Sequence, residues 1–298
     1  MPCYHPQPAV RMSDGSVRFV SRSKRGVVGD ITLPCGQCIG CRLERSRQWA
    51  TRCLHESSLH EDNSFVTLTY DDENLPRGGT LVYDDFQRFM KRLRKRFSDQ
   101  TIRFYMGGEY GETTNRPHYH VCLFGLRFPD LRLLKVTRSG FRLYTSQILE
   151  SLWPYGLCSI GDVSFQSAAY IARYCVQKVT GDLAEAHYRV VLDDGEIIDR
   201  VPEFNHMSLK PGIGAGWLKK YQTDVFPRDY VIVNGVKTKP PKYYDRLFEK
   251  ENPGEFSEML ARRELDAYLL RSDNTPERLT VKGTVKKAQL SFLKRSDI

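Results

Sequence analysis

Two histidines lie one residue apart in the segment RPHYHVCLFG, residues 116–125. The apolar run that follows them is typical of a buried strand. Because successive side chains of a strand point to opposite faces, His118 and His120 are predicted to share one face, with Tyr119 on the other. Two imidazoles side by side can bind a divalent metal ion, although a pair of strand histidines without a metal is the alternative interpretation.

A carboxylate close in the sequence could complete such a metal site. Glu109 ends the apolar segment IRFYMGGE, and a hairpin across EYGETTNRPH would bring it alongside His118. Glu112 is the reserve candidate for the same position. Two imidazoles and one carboxylate leave coordination positions for water and substrate. This ligand set favours Mg²⁺ or Mn²⁺, and the imidazoles favour Mn²⁺ relative to an all-oxygen site.

Two tyrosines lie four residues apart in the segment AAYIARYCVQK. On a helix, Tyr170 and Tyr174 share a face, and Lys178 lies one turn further along it. Two aromatic rings that pack on a sheet are the alternative interpretation. Near a divalent metal, a phenol oxygen can instead attack a DNA phosphate and displace the 3′ hydroxyl, with Lys178 or Arg173 favouring the phenolate or neutralising phosphate charge. Two tyrosines would let one hold a DNA end while the other cuts.

Three cysteines form the pattern C-x-x-C-x-x-C in PCGQCIGC, at Cys35, Cys38 and Cys41. This spacing resembles a structural zinc site, and an iron–sulfur cluster or a packed thiol loop would also account for it. The fourth zinc ligand is expected to be Cys3, and the alternatives are Cys53 or a histidine such as His5.

The 298-residue chain has 45 Lys and Arg against 36 Asp and Glu, a formal net charge of +9. This balance favours polyanionic partners, with nucleic acid first and an acidic membrane second. No segment approaches the ~18 apolar residues of a membrane span, and the start of the chain lacks a signal-peptide pattern, so we expect a cytoplasmic protein without a membrane partner. In that compartment, cysteines are thiols or metal ligands more often than disulfides.

The order of helical and extended patterns predicts an α+β fold. Between residues 64 and 180 the pattern is β-α-β-β-α-β-α, which is typical of a central, mostly antiparallel sheet with flanking helices on one face. The helix YDDFQRFMKRLRKRF combines an apolar stripe with a cationic remainder that could follow a phosphate backbone. The helix TSQILESLWPYG is expected to begin at Thr145 or Ser146, and the tyrosine helix QSAAYIARYCVQKVTG to end near Gly181.

The flanking segments extend this central domain. Residues 1–60 are predicted to form a cysteine-rich, basic N-terminal segment, irregular up to residue 41 and able to form a helix in RLERSRQWATRCLHE. Residues 61–225 are predicted to form the sheet domain, and 226–298 a C-terminal extension. Residues 187–242 are expected to be irregular or β, with Asn-Gly in DYVIVNGVKT marking a hairpin. In the extension, EFSEMLARRELDAYLL is predicted to be an amphipathic helix, and the polar, basic tail from Ser272 is expected to be loosely held.

Taken in order, these segments resemble the HUH endonucleases, and among them the rolling-circle replication initiators of microviruses, especially the gokushovirus branch. FVTLTY resembles the first family motif, NRPHYH the metal motif and YIARYCVQK the two-tyrosine motif. PCGQCIGCR and MSLKPGIGAGW also resemble segments of that branch. The position three residues after the first tyrosine is often lysine in the family and is Arg173 here. The resemblance covers most of residues 1–220.

The resemblance implies an HUH, split βαβ-like nuclease domain and a function. The enzyme would nick origin DNA of the double-stranded replicative form, stay joined to the 5′ phosphate, and later cut and religate the displaced strand. Its partners would be single-stranded DNA and double-stranded replicative-form origin DNA, in the cytoplasm of the bacterial host. Since the sequence has no helicase motor motif, unwinding would need a host partner, so a host helicase and polymerase are candidate partners.

Two other classes of protein fit part of the pattern. A relaxase or transposase shares the chemistry, but relaxases usually carry their tyrosine before the histidines, and single-strand transposases tend to be shorter with one tyrosine. A non-catalytic, zinc-bearing DNA-binding regulator would use only the basic charge and the cysteines. Activity that depends on Tyr170 and Tyr174 separates the enzyme from the regulator.

Overall fold

The structure is a computed structural model that describes residues 3–12, 16–19, 31–111, 113–137, 139–179, 181 and 183–292, with the side chains of residues 11 and 173–177 outside this description. The described residues divide into two compact units. The first joins the chain up to Arg45 with the segment that starts at Asn252, and the second contains Ser46–Glu251.

The strands and helices follow one another along the chain. The strands are β1 (Gln7–Arg11), β2 (Val17–Phe19), β3 (Ile31–Leu33), β4 (Asn63–Thr69), β5 (Arg103–Tyr110), β6 (Pro117–Phe124), β7 (Arg132–Val136), β8 (Arg142–Thr145), β9 (Cys158–Gly161), β10 (Arg189–Val191), β11 (Ile197–Asp199), β12 (Phe204–Met207), β13 (Val231–Val233) and β14 (Val236–Thr238). The α-helices are α1 (Ile39–Ser57), α2 (Tyr83–Arg96), α3 (Gln147–Leu152), α4 (Phe165–Gln177), α5 (Ala184–Tyr188), α6 (Ala215–Val225), α7 (Lys242–Glu251), α8 (Pro253–Leu269) and α9 (Pro276–Phe292).

One antiparallel sheet organises the second unit. Its seven strands have the order β12-β5-β6-β4-β9-β8-β7. β5 and β6 pair as the predicted hairpin, and β6 lies between β5 and β4. The predicted α+β fold with a large antiparallel sheet and flanking helices is therefore confirmed.

Helices cover both faces of this sheet, which corrects the prediction of helices on one face. α2 and α3 pack on the face that carries Val121 and Leu123 of β6. The second half of α1, together with α4, packs on the face that carries Cys122 and Phe124. The central strands are apolar on both sides, so each face is stabilised by a helical layer.

α2 matches its predicted apolar and cationic faces. The apolar side chains are buried: Phe86, Phe89, Met90 and Leu93. The exposed cationic side chains are Arg88, Lys91, Arg94, Lys95 and Arg96. Arg92 is half-buried and donates from Nε to the carbonyl of Leu152 at 2.8 Å. The other five cations of the helix are therefore exposed, as the sequence predicted.

Serine side chains start the two shorter helices on the sheet. The Ser146 hydroxyl accepts a hydrogen bond from the amide of Leu149, which selects Ser146 over Thr145 as the first cap. Ser164 and Ser167 exchange hydrogen bonds at the start of α4 in a capping box.

The end of α4 differs from the prediction. The helix stops at Gln177, and Lys178 has φ −41° and ψ 121°. The amide of Val179 donates to the hydroxyl of Tyr188 at 3.1 Å instead of continuing the helical ladder. The prediction that the helix ends near Gly181 was therefore wrong, and Lys178 is not part of a helical face.

Several other elements were missed from the sequence. β1, β2 and β3 form a small antiparallel sheet in the N-terminal segment that was predicted to be irregular. α6 lies inside residues 187–242, and α9 occupies the tail that was expected to be loosely held. The predicted hairpin is confirmed: β13 and β14 are joined by Asn234 and Gly235, both with positive φ.

None of the helices within the described residues has the length and apolar character needed to cross a membrane.

Candidate active site

The β5–β6 hairpin brings three of the predicted residues together. In the register of this pair, Glu109 lies opposite His118, and His120 follows on the same face of β6. Tyr119 lies on the opposite face in the core, where its hydroxyl donates to the carbonyl of Val82 at 2.8 Å. The alternation predicted for the histidines and the tyrosine is confirmed.

The side chains of Glu109, His118 and His120 converge on one carboxylate oxygen. Nε2 of His118 and Nε2 of His120 each lie 2.8 Å from Oε1 of Glu109. The His118 contact is aligned as a hydrogen bond. The His120 contact is not, so this buried Nε2 has no hydrogen-bond partner among the described residues. A buried polar atom without a partner costs free energy, which makes this nitrogen a natural ligand position.

Burial and the shared carboxylate act on the pKa values of these groups. Burial opposes ionisation of Glu109, but the two imidazoles outweigh it and lower the pKa of the carboxyl. Burial also opposes protonation of His118, yet the hydrogen bond and charge of Glu109 raise its pKa. For His120 burial dominates and lowers the pKa. The group therefore combines an ionised carboxylate with at least one neutral imidazole.

Each imidazole is oriented through its other nitrogen. Nδ1 of His118 lies 3.0 Å from the carbonyl of Arg116, and Nδ1 of His120 lies 2.9 Å from the hydroxyl of Thr67. These contacts leave both Nε2 atoms directed at Glu109. Hydrogen bonds of this kind fix the ring orientation of histidines that bind metals.

The supporting residues from β4 were not identified from the sequence. Thr67 pairs with His120 in the β4–β6 register, and the ring of Phe65 stacks on His120 with centroids 5.5 Å apart. FVTLTY was recognised only as a motif strand. Strand alternation predicts that Phe65 and Thr67 share one face, but it does not predict which residue of another strand they contact.

Tyr170 lies directly beside this group. Its ring packs edge-on against His120, with ring centroids 4.9 Å apart and an interplanar angle of 88°. The side chain is half-buried and contacts the core on this face of the sheet. The helix α4 therefore packs the ring of Tyr170 against His120, one of the three convergent side chains.

Part of the predicted site falls beyond what the structure describes. The side chains of Tyr174 and Arg173 and the whole of Glu112 lie outside the described residues. Lys178 follows the end of α4 and is half-buried.

The residues present fit a divalent metal ion. The ligand atoms of Glu109, His118 and His120 all lie within 4.8 Å of one another. The set has one carboxylate and two imidazoles, and one imidazole nitrogen has no hydrogen-bond partner among the described residues. This chemistry suits Mn²⁺ or Mg²⁺, and three protein ligands leave positions for a phosphate oxygen.

A second group of possible metal ligands lies in the first unit. The sulfurs of Cys3, Cys35, Cys38 and Cys41 lie within 4.8 Å of one another. Of the alternative fourth ligands, Cys53 is fully buried in the core of the sheet unit, and His5 is exposed. The structure therefore selects Cys3 as the neighbour of the three predicted cysteines.

Sequence comparisons with a protein family and with individual proteins point to the same family. The profile of the family described as replication-associated protein ORF2/G2P matches residues 63–179. The chain is 34% identical to replication-associated protein VP4 of Bdellovibrio phage phiMH2K over 273 residues, 89% of this chain and 82% of that protein. It is also 34% identical to replication-associated protein ORF2 of Spiroplasma virus 4, covering 82% of this chain and 76% of that protein.

A third relative is more distant. Replication-associated protein ORF4 of Chlamydia phage 1 is 29% identical over 73% of this chain and 54% of that protein. No solved structure matches the chain. The extent and identity of the two first alignments show that this chain belongs to the family of phage replication-associated proteins.

Proposed function

We propose that this protein is a replication initiator that nicks origin DNA through a tyrosine and later religates the displaced strand, as in rolling-circle replication. The observation that carries the proposal is the contact between the rings of Tyr170 and His120, since His120 is one of the three side chains of the largely buried Glu-His-His group. Membership of the phage replication-associated family and the net charge of +9 support DNA as the substrate.

The proposed chemical step is a transesterification. The phenol oxygen of Tyr170 or Tyr174 attacks the phosphorus of a DNA phosphodiester, and a P–O bond to the tyrosine forms. The bond from phosphorus to the 3′ oxygen breaks, the phenol loses its proton, and the departing 3′ oxygen gains one. The product is a 5′-phosphotyrosine linkage, which conserves the phosphodiester bond for a later hydroxyl to reseal.

The surrounding residues have separate tasks in this proposal. Glu109, His118 and His120 would hold the metal, with Thr67 fixing the ring of His120. A divalent cation bound there supplies positive charge that stabilises the phosphate oxygens as negative charge develops. Lys178 is proposed to neutralise phosphate charge from the chain segment that follows α4.

The second tyrosine of α4, Tyr174, accounts for the proposed ligation step. Tyr174 is one helical turn beyond Tyr170 on α4, so one phenol can hold a DNA end while the other makes the next cut. The substrates would be the origin of the double-stranded replicative form and the displaced single strand. A host helicase and polymerase would supply unwinding and synthesis, in the cytoplasm of the bacterial host.

The test is a nicking and joining assay on single-stranded oligonucleotides tiled across the phage genome, with Mn²⁺ or Mg²⁺. We expect site-specific cleavage by the purified chain, no cleavage by the double variant Tyr170→Phe plus Tyr174→Phe, and loss of joined product in each single variant. Tyr268→Phe is the matched control, because Tyr268 is an exposed tyrosine of α8.

Cleavage that persists in the double variant would contradict the proposal. Tight DNA binding without cleavage in any variant, metal or oligonucleotide would also contradict it, and would favour the zinc-bearing DNA-binding regulator instead.

A further inference from the structure

The four clustered cysteines of the first unit are not used by the proposed nuclease. We infer that Cys3, Cys35, Cys38 and Cys41 bind one Zn²⁺ as four thiolate ligands, and that this ion holds the N-terminal segment on helix α9. The inference is independent of the nicking chemistry, because none of these residues belongs to the sheet unit.

The separation of the sulfur atoms fits a single ion. Two sulfurs bound at about 2.3 Å to one tetrahedral ion lie about 3.8 Å apart. Sγ of Cys38 and Sγ of Cys3 lie 4.0 Å apart, roughly twice the length of a disulfide bond, and all four sulfurs lie within 4.8 Å of one another. An iron–sulfur cluster distributes its cysteines over several irons and separates their sulfurs further.

Backbone amides surround the sulfurs in a way that suits thiolates. The amides of Tyr4, Cys35 and Cys38 donate to the sulfurs of Cys38, Cys3 and Cys35, each at 3.3 Å. Such donors stabilise negative charge on ligand sulfurs, as the outer contacts of metal sites do. The backbone between Cys35 and Cys38 includes Gly36, which has φ +75°, a conformation that side-chain-bearing residues rarely adopt.

Helix α1 contributes to the same site. Cys38 immediately precedes the helix, and Cys41 lies in its first turn. The N-terminal end of a helix carries partial positive charge, which favours thiolates over thiols. One ion would therefore join Cys3 to the start of a 19-residue helix across more than 30 residues of chain.

A zinc ion at this site would also fix the position of Tyr4, the residue after the ligand Cys3. A Cβ atom added to Gly283 of α9 would lie 3.3 Å from both Cβ and Cγ of Tyr4. The ring of Tyr4 therefore rests on the helix backbone where a glycine allows close approach. By fixing Cys3, the zinc ion would keep Tyr4 on α9, a helix whose residues are mostly exposed.

The test starts with elemental analysis of the purified full-length chain. We expect one zinc per chain that survives dialysis, and loss of most of this zinc in Cys3→Ser, Cys35→Ser, Cys38→Ser and Cys41→Ser. Cys53→Ala and Cys158→Ser are the matched controls and should keep their zinc, as should His120→Ala, which belongs to the other metal-ligand group. Stoichiometric iron with acid-labile sulfide, or zinc retained in the Cys3→Ser variant, would overturn the assignment.

A second measurement on the wild-type chain does not depend on whether the variants fold. Alkylation followed by peptide mass analysis should show these four thiols protected until a mercurial reagent releases zinc to a chromogenic chelator. Hydrogen exchange in residues 280–284 of α9 should then accelerate. Four thiols that alkylate as in the denatured chain before zinc release would overturn the metal site, and unchanged exchange in α9 after release would overturn its role there.

Discussion

The rings of His120 and Tyr170 pack edge to face, with their centroids 4.9 Å apart. This contact joins β6, which carries the two histidines, to α4, which carries the two tyrosines. Each partner is fixed by a further contact. The hydroxyl of Thr67 hydrogen-bonds to Nδ1 of His120, and Ser164 caps the start of α4. The relationship brings a side chain of a strand and a side chain of a helix, distant in the sequence, into direct contact.

The hydroxyl of Thr67 should control metal affinity without being a ligand. We expect Thr67→Val to weaken Mn²⁺ binding about 10- to 100-fold, since Nδ1 of His120 would lose the partner that orients the ring. Titration of Mn²⁺ by calorimetry would measure this effect. Thr67→Ser keeps the hydroxyl and is the matched control. Equal affinities in Thr67→Val and wild type would show that this hydrogen bond does not position the ligand.

The buried histidine of α1 should make the protein sensitive to acid. Burial lowers the pKa of His55 from 6.5 to about 4. Between these values the unfolded chain holds the extra proton and the folded chain does not, so stability falls as the pH drops from 6.5 to 4. At about pH 4, the titration of His55 should lower the free energy of unfolding by about 3 kcal/mol relative to neutral pH.

Replacement of His55 by glutamine tests this assignment. His55→Gln keeps a polar partner for the hydroxyl of Tyr244 but has no titratable ring. Chemical denaturation at about pH 7 and about pH 4 should show a smaller difference in unfolding free energy than in wild type, by about 3 kcal/mol. His187→Gln, an exposed replacement, should leave the difference unchanged. The same pH dependence in His55→Gln and wild type would assign the acid sensitivity to other groups.

Gly156 should be the least replaceable glycine near the candidate site. It has φ +145°, and an added Cβ would overlap the backbone of Thr69 and Asp71. We expect Gly156→Ala to lower the free energy of unfolding by about 3 kcal/mol. Gly140→Ala separates steric overlap from backbone strain, because Gly140 also has positive φ but no atom within 4 Å. Its cost should be about 1 kcal/mol, and equal destabilisation of the two variants would contradict the account.

The sequence predicts the Glu-His-His group well because its determinants are local. The two-residue alternation places His118 and His120 on one face, and the short hairpin leaves Glu109 few other positions. The contact between Thr67 and His120 depends on a strand register across 53 residues, which alternation alone does not fix. The end of α4 was missed because neither Lys178 nor Val179 is a helix-stop residue.

Other misses have equally specific causes. α9 contains a glycine and four β-branched residues in the stretch TVKGTV, which disfavour helix in isolation. β12 consists of the short, partly polar segment FNHM, and its pairing with β5 is a long-range choice that no local pattern encodes. The small sheet of β1, β2 and β3 joins segments separated in the sequence, and each strand is too short to give a clear alternation.

The exposed cations of α2 should contribute to DNA affinity. We expect Lys91→Gln plus Lys95→Gln to weaken binding of single-stranded DNA, because two positive charges one helical turn apart are removed. The slope of log K against log salt concentration should become shallower by about 0.7 for each phosphate that the variant no longer neutralises. Fluorescence anisotropy across a salt series measures this slope. Lys242→Gln plus Lys250→Gln on α7 is the control that removes the same charge. An equal loss of affinity in both variants would show that only the net charge of the protein matters, and that α2 does not contact the DNA backbone.

The most direct test of the central claim is to trap the covalent intermediate. The protein would be mixed with origin-bearing single-stranded DNA and Mn²⁺, denatured, digested and analysed by peptide mass. The account predicts a nucleotide adduct on Tyr170 or Tyr174 that disappears with chelator and in His118→Ala. A denaturant-stable adduct on any residue outside α4, or none at all while DNA is bound and cleaved, would contradict it.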